Sequence, residues 1–199
     1  MLSGVVIMNK AILAGEIGEV KYSHSNLGEN YYKFDITVIR KSGNKDIIPC
    51  IIPGVYLDRI KSNKIELVGE IRGRTITNKD RRFSVTFMFV KDINEYVEDK
   101  NEVELIGYLC KPPVYRETPL GRQVGESVIA SHRERSYVSD YIFCLTWGRN
   151  ALRFNNLKVG DKISAKARFQ SREYQKNEEV KTAYELSIHQ FEVIYNERL

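Results

Sequence analysis

The sequence of 199 residues lacks a disulfide framework: its three cysteines, Cys50, Cys110 and Cys144, are odd in number and widely spaced. Such usage points to a reducing compartment. Each lies in an apolar run, as in Ile48-Pro49-Cys50-Ile51 and Ile142-Phe143-Cys144-Leu145, and reads as a small buried hydrophobe. There is no Cys-x-x-Cys pair, and His24, His132 and His189 stand apart, so no zinc site is expected. No apolar run approaches the roughly 20 residues that a membrane-spanning helix needs. The apolar start, Met1 to Ile7, is short and carries neither a basic leader nor a small-residue cleavage site. A cytoplasmic protein without membrane contact is expected.

Catalytic signatures are missing as well. There is no Gly-x-x-x-x-Gly-Lys phosphate loop, no nucleophile elbow and no carboxylate spacing suited to metal ions. Neither an enzyme nor a cofactor is expected. Charge of one sign does not dominate either. The net charge of +5 is spread evenly, with 16 basic and 13 acidic side chains in residues 1–100 and 15 and 13 in residues 101–199. A mild basic excess of this kind is compatible with a polyanionic partner without demanding one.

What is present is β pattern nearly throughout. Tyr32 to Val38, Arg82 to Phe89, Ile163 to Phe169 and Ala183 to Ile188 alternate apolar and polar residues with period two. Half-buried strands alternate in this way because successive side chains face opposite sides. Turn-forming clusters such as Lys41-Ser42-Gly43-Asn44-Lys45 separate them.

The two halves resemble each other. Asn9 to Ile17 matches Asn101 to Leu109, Asp46 to Cys50 matches Asp140 to Cys144, and Ile65 to Arg74 matches Ile163 to Arg172. The offset grows from 92 to 94 to 98 residues, so the second copy has longer loops. A repeat of this size implies two similar domains, here 1–97 and 98–199, joined at the charged junction Tyr96 to Lys100. A short helical segment, Val55 to Ile60 or Arg149 to Phe154, follows the middle strands of each copy. The expected fold is therefore all-β: two tandem five-stranded oligonucleotide-binding (OB) barrels, each with a short helix after its third strand.

Six segments of the second copy, in order, resemble the bacterial single-stranded DNA-binding protein family over residues 101–194. They are the opening strand Asn101 to Leu109; the Pro-x-x-Arg-x-Thr-x-x-Gly turn within Lys111 to Gly121; the aromatic strand Asp140 to Gly148 with Ala151; the Lys158 to Ile163 turn; and the two arms Gln170 to Tyr174 and Thr182 to Glu185. The first copy keeps three strands but has Lys21 to Gly28 in place of that turn, and Pro53 where the second copy has Trp147. The family's long acidic-tipped tail has no counterpart before Leu199, so recruitment of partners by such a tail is not expected.

Sequence-tolerant binding to a single strand requires cations along the phosphates and flat faces for unstacked bases. Tyr141, Phe143 and Trp147 share one face of a strand by even spacing. By resemblance, Tyr141, Trp147 and Tyr174 occupy stacking positions. Arg116, Arg122, Arg133, Arg135, Arg149 and Arg172 are candidate phosphate or stacking contacts in the second copy, and Arg72, Arg74 and Arg82 in the first. Arginine suits both roles, since its plane stacks and its fork holds phosphate; surface arginines, however, are more often merely solvated.

The function these features imply is coating single-stranded DNA in replication, repair or recombination, with a homodimer supplying four barrels. The alternatives are a primosome-type accessory that works through replication proteins and a binder of single-stranded RNA.

Overall fold

The structure is a computed structural model. It describes residues 8–78, 81–134 and 136–195, with the side chains of all of these except 75–78, 81–83 and 176. Arg135 and the Arg82 side chain therefore lie outside the described residues.

Strands dominate, as the period-two alternation requires. In the first copy they are β1 (Asn9–Ile17), β2 (Lys21–Asn26), β3 (Glu29–Ile39), β4 (Lys45–Pro53), β5 (Lys64–Asn78) and β6 (Arg81–Glu95), with a single 3-10 segment at Gly54–Arg59. In the second they are β7 (Lys100–Leu109), β8 (Val114–Glu117), β9 (Gln123–His132), β10 (Ser139–Trp147), β11 (Lys162–Lys176) and β12 (Glu179–Val193), with helix α1 at Arg149–Asn155.

The two copies share one strand order. The first runs β2-β3-β4-β6-β5-β1, and β1 pairs back to β3. The second runs β8-β9-β10-β12-β11-β7, and β7 pairs back to β9. In each, one pairing is parallel, β4 with β6 and β10 with β12. Each run of strands thus returns on itself, which removes the exposed edges that an open sheet would leave.

A glycine sits at each point of return. Gly15 precedes the Glu16–Thr37 pairing, and Gly107 precedes the Tyr108–Ala130 pairing. A Cβ on Gly15 would overlap the Thr37 carbonyl oxygen. A Cβ on Gly107 would overlap the Ile129 side chain and lie 2.7 Å from the Ala130 carbonyl oxygen. The opening strand of each copy needs glycine there because it must touch two strands within a few residues.

Inward positions fill with apolar side chains: Leu13, Ile36, Ile48, Leu67 and Met88 in the first copy, and Leu105, Ile129, Ile142, Phe154 and Ile163 in the second. Each copy has one more strand than the five expected. The added ones, β2 and β8, are short and polar, so they lack the apolar alternation that marks a strand in sequence. They form because tight turns fold them onto β3 and β9. Leu27 and Gly28, at φ 50° and 80°, make a two-residue turn of the type that matches strand twist. In the second copy the Thr118 N–H donates to the Arg122 carbonyl (2.8 Å), the Gly121 N–H to the Thr118 carbonyl (2.8 Å) and the Arg122 N–H to Thr118 Oγ1 (3.1 Å).

The compact units of the molecule interleave along the chain. One is Lys10–Glu102 together with Phe169–Glu185; the other is Val103–Arg168 with the described residues of Met1–Asn9 and Leu186–Leu199. Within the first unit the hairpin tip of β11 and β12 packs with residues of the N-terminal copy. The Ser171 N–H donates to Asp46 Oδ1 (3.1 Å) and the Ile47 N–H donates to Ser171 Oγ (2.9 Å). Asn101 bonds Phe169 in both directions, at 2.7 and 2.8 Å. No helix among the described residues is long and apolar enough to cross a membrane.

Candidate nucleic-acid interface

In the unit built on Val103–Arg168, β10 carries two exposed flat rings. Tyr141 is 54% exposed and Trp147 39%, whereas their neighbours Ile142 and Cys144 are fully buried. Phe143 is half-buried and Leu145 closed off, so the face opens at its two ends. Six residues of strand put the ends roughly 20 Å apart.

Strand register shows what flanks each ring. Trp147 is opposite Val124 on β9, and Val124 is opposite Arg116 on β8. Directly opposed residues share a face, so Trp147 and Arg116 are two strand spacings apart, roughly 10 Å. At the other end Tyr141 is opposite Ala130, Ala130 opposite Tyr108, and Tyr108 opposite Lys162. The Lys162 ammonium lies 5.6 Å from the centroid of the ring of its register partner, Tyr108. Tyr108 and Lys162 are thus part of the same face. Sequence pattern passed them over because they sit on strands otherwise read as framework. Tyr137, fully exposed in the β9–β10 connection, was passed over for want of any strand parity.

Local chemistry fixes the Trp147 end. Gly148 takes φ 58° and ψ −129°, a conformation other residues resist, and so ends β10 and starts α1. Ala151 and Phe154 anchor the helix, Phe154 meeting the Phe191 ring edge-on at 5.5 Å. Gly125 on β9 lets the helix approach: a Cβ there would lie 3.0 Å from Thr146 Oγ1 and 3.1 Å from the Ala151 carbonyl oxygen.

The arginines divide into free and committed. Arg122 and Arg149 are exposed and form no ion pair among the described residues. Arg116 is exposed and ion-paired with Glu126. Arg133 is committed to the framework: its Nε and Nη2 donate to the two oxygens of Asp140 at 2.8 and 2.7 Å, and that carboxylate is wholly buried. The first copy repeats the device with Arg40, forked onto the equally buried Asp46.

Tyr174 and Arg172 fall in the other unit, on the hairpin Phe169–Glu185. Tyr174 is 38% exposed, and the Arg172 guanidinium stands 5.8 Å from its ring centre. Arg172 also donates to both oxygens of the buried Glu185, at 3.1 and 3.3 Å. Arg72 is held similarly: it donates to Glu70 (3.1 Å), and its guanidinium lies 3.5 Å from the Phe89 centroid. Arg74 is exposed.

The N-terminal copy does not repeat the aromatic strand. At the 94-residue offset, Ile47, Pro49, Ile51 and Pro53 stand where the second copy has Tyr141, Phe143, Leu145 and Trp147. Its rings lie elsewhere: His24 stacks on Tyr31 at 4.9 Å, and Tyr31 meets Phe89 at 6.1 Å. Burial, and after it the Asp35 carboxylate, pushes the Tyr184 phenol up. Burial likewise raises the thiols of Cys50 and Cys144 far above the ordinary range, so both are inert. Among the described residues no cluster of histidine, cysteine and carboxylate side chains could hold a metal ion.

Residues 100–194 match the model of the single-strand binding protein family. Members of the family bind and do not catalyse. Curated relatives also match part of the chain. Single-stranded DNA-binding protein 1 of Staphylococcus aureus (strain COL) is 36% identical over 84 residues, 39% of this chain and 50% of that one. Single-stranded DNA-binding protein A of Bacillus subtilis (strain 168) is 37% identical over 81 residues, 38% of this chain and 47% of that one. The chain thus spans about half the length of the curated relatives it matches. In fold the chain is similar to the single-stranded DNA binding protein from Thermus aquaticus, with a TM-score of 0.78, 16% identity, and 98% of this chain and 97% of that one covered. Residues 100–194, which match the family model, contain every ring of the Tyr141–Trp147 face.

Proposed function

We propose that this protein coats single-stranded DNA with little sequence preference, through two tandem OB barrels read from the repeat at 1–97 and 98–199. The observation that carries the reading is the pair of exposed rings, Tyr141 and Trp147, on one strand of the segment that matches the family. Bases stack on these rings and on Tyr108, while Arg116, Arg122, Arg149 and Lys162 track the phosphates. Each stacked base contributes about 1–3 kcal/mol without reading sequence. On the other unit Tyr174, Arg172 and Arg74 offer contacts of their own, with Arg72 stacking rather than pairing with phosphate. A homodimer presents four barrels to one strand, and the setting is cytoplasmic replication, repair or recombination.

Trp147 provides the test. Its fluorescence falls on addition of oligo-dT, and affinity falls steeply with salt. Unchanged fluorescence with no gel shift at low salt overturns the reading. Competition with an RNA oligonucleotide of equal length decides which sugar is preferred. Strong capture of a helicase or primase combined with weak DNA binding would favour an accessory role instead.

A further inference from the structure

The N-terminal copy holds a cleft of about 450 Å³ on the face where the other copy carries its aromatic strand. Its floor is apolar, formed by Pro49 and Ile51 of β4 and by Val85 and Phe87 of β6. Along the β3 side stand Lys33 and Asp35, and along the β2 side Lys21 and Ser23. Lys21 is paired with Glu19 at 2.8 Å. Lys33 and Asp35 form no ion pair or side-chain hydrogen bond among the described residues, and both are exposed. They are two residues apart on one strand, so both point to the same side, with Cα atoms roughly 7 Å apart.

This is an apolar slot whose β3 rim carries an unpaired cation and an unpaired carboxylate among the described residues, while Glu19 and Lys21, which also line it, are paired with each other. A base that leaves the stack needs such a slot for its faces and a polar rim for its Watson–Crick edge. The rim here selects among bases. A carboxylate only accepts, and an ammonium only donates. Guanine alone presents two adjacent donors, N1–H and the N2 amino group, beside an acceptor, O6. Adenine and cytosine each set one donor beside a ring acceptor, which would turn a lone pair against the second carboxylate oxygen. Thymine flanks its single donor with two acceptors.

We propose that this cleft takes one guanine base of the bound single strand, Asp35 accepting from N1–H and N2–H while Lys33 donates to O6. The proposal rests on the reading that the chain binds single-stranded DNA. It assigns the N-terminal copy a different task from its twin: the aromatic face tolerates any base, and the cleft reads one.

The test uses the full chain and anisotropy of labelled oligonucleotides: oligo-dT, oligo-dT with one central guanine, and the same strand with inosine, adenine or cytosine at that position. Guanine tightens binding by about tenfold over plain oligo-dT, in line with the discrimination of a bidentate contact. Inosine, lacking the N2 amino group, loses most of the gain, and adenine and cytosine show none. Asp35→Asn, a near-isosteric exchange at an exposed site, abolishes the guanine advantage while binding oligo-dT as the parent does. Equal affinity for all five strands, or a guanine advantage that survives Asp35→Asn, overturns this inference and leaves the proposed function standing. Failure to bind oligo-dT at all overturns the proposed function itself.

Discussion

Replacing Trp147 with alanine separates stacking from charge. Trp147 is 39% exposed, so part of it meets solvent, and it lies in the row of register partners that leads to Val124 and Arg116. Loss of one stacked base costs about 1–3 kcal/mol, which is about a 5- to 150-fold loss of affinity. The loss carries no counterion term. In a plot of log affinity against log salt from about 50 to 200 mM, the Trp147→Ala line runs below the parent line and parallel to it. Arg122→Gln and Arg149→Gln behave differently: each removes a cation that no carboxylate among the described residues pairs with, and each makes the slope shallower by about 0.7. The assay is anisotropy of a labelled oligo-dT, since the variant has no tryptophan to report. Trp147→Phe keeps a flat ring and recovers part of the loss, which guards against mistaking misfolding for lost stacking. The reasoning is refuted if Trp147→Ala binds within twofold of the parent, or if it flattens the slope.

Other variants probe the framework. Arg133→Gln and Arg40→Gln each remove the guanidinium that faces a wholly buried carboxylate, Asp140 or Asp46, and lower unfolding free energy by about 3–5 kcal/mol; chemical denaturation measures this, and a variant of parental stability that has lost DNA affinity would show Arg133 to be a DNA contact after all. Gly107→Ala forces a Cβ into the Ile129 side chain and the Ala130 carbonyl, and costs about 1–3 kcal/mol or prevents folding; an unchanged melting temperature would refute the closing role of that glycine. Acid should weaken the N-terminal copy through Glu66, whose carboxyl the Lys100 hydrogen bond holds below its usual 4.5, with Asn94 assisting. A lowered carboxyl stabilises the fold fully above 4.5, and that contribution is lost as pH falls through the depressed value. Glu66→Gln therefore narrows the stability difference between pH 7 and pH 3, and an identical pH profile would count against it.

Much of this was legible in the sequence because strand parity is a strict rule. The alternation from Tyr141 to Trp147 placed the two rings on one face, and the repeat anticipated a common strand order. The charged groups were less legible, since an arginine's partner is set by tertiary register rather than by spacing. Arg133 and Asp140 meet only because the β9–β10 connection folds back, and Arg172 meets Glu185 only across a hairpin. The cleft beside Lys33 and Asp35 was invisible for the same reason: its walls come from four strands, and each wall reads as ordinary framework. β2 and β8 escaped notice because positive-φ turns, not apolar alternation, create them.

The placement of the hairpin Phe169–Glu185 with Lys10–Glu102 has a consequence for how such a chain diverges. Ser171 and Asp46 are 125 positions apart yet must remain compatible, because the Ser171 N–H rests on the carboxylate that Arg40 clasps. The duplicated halves therefore cannot be shuffled as cassettes. A recombinant carrying a foreign C-terminal half would need a new hairpin fitted to the old Asp46, so inheritance favours keeping the pair intact while Pro49, Ile51 and their surroundings drift toward a separate purpose.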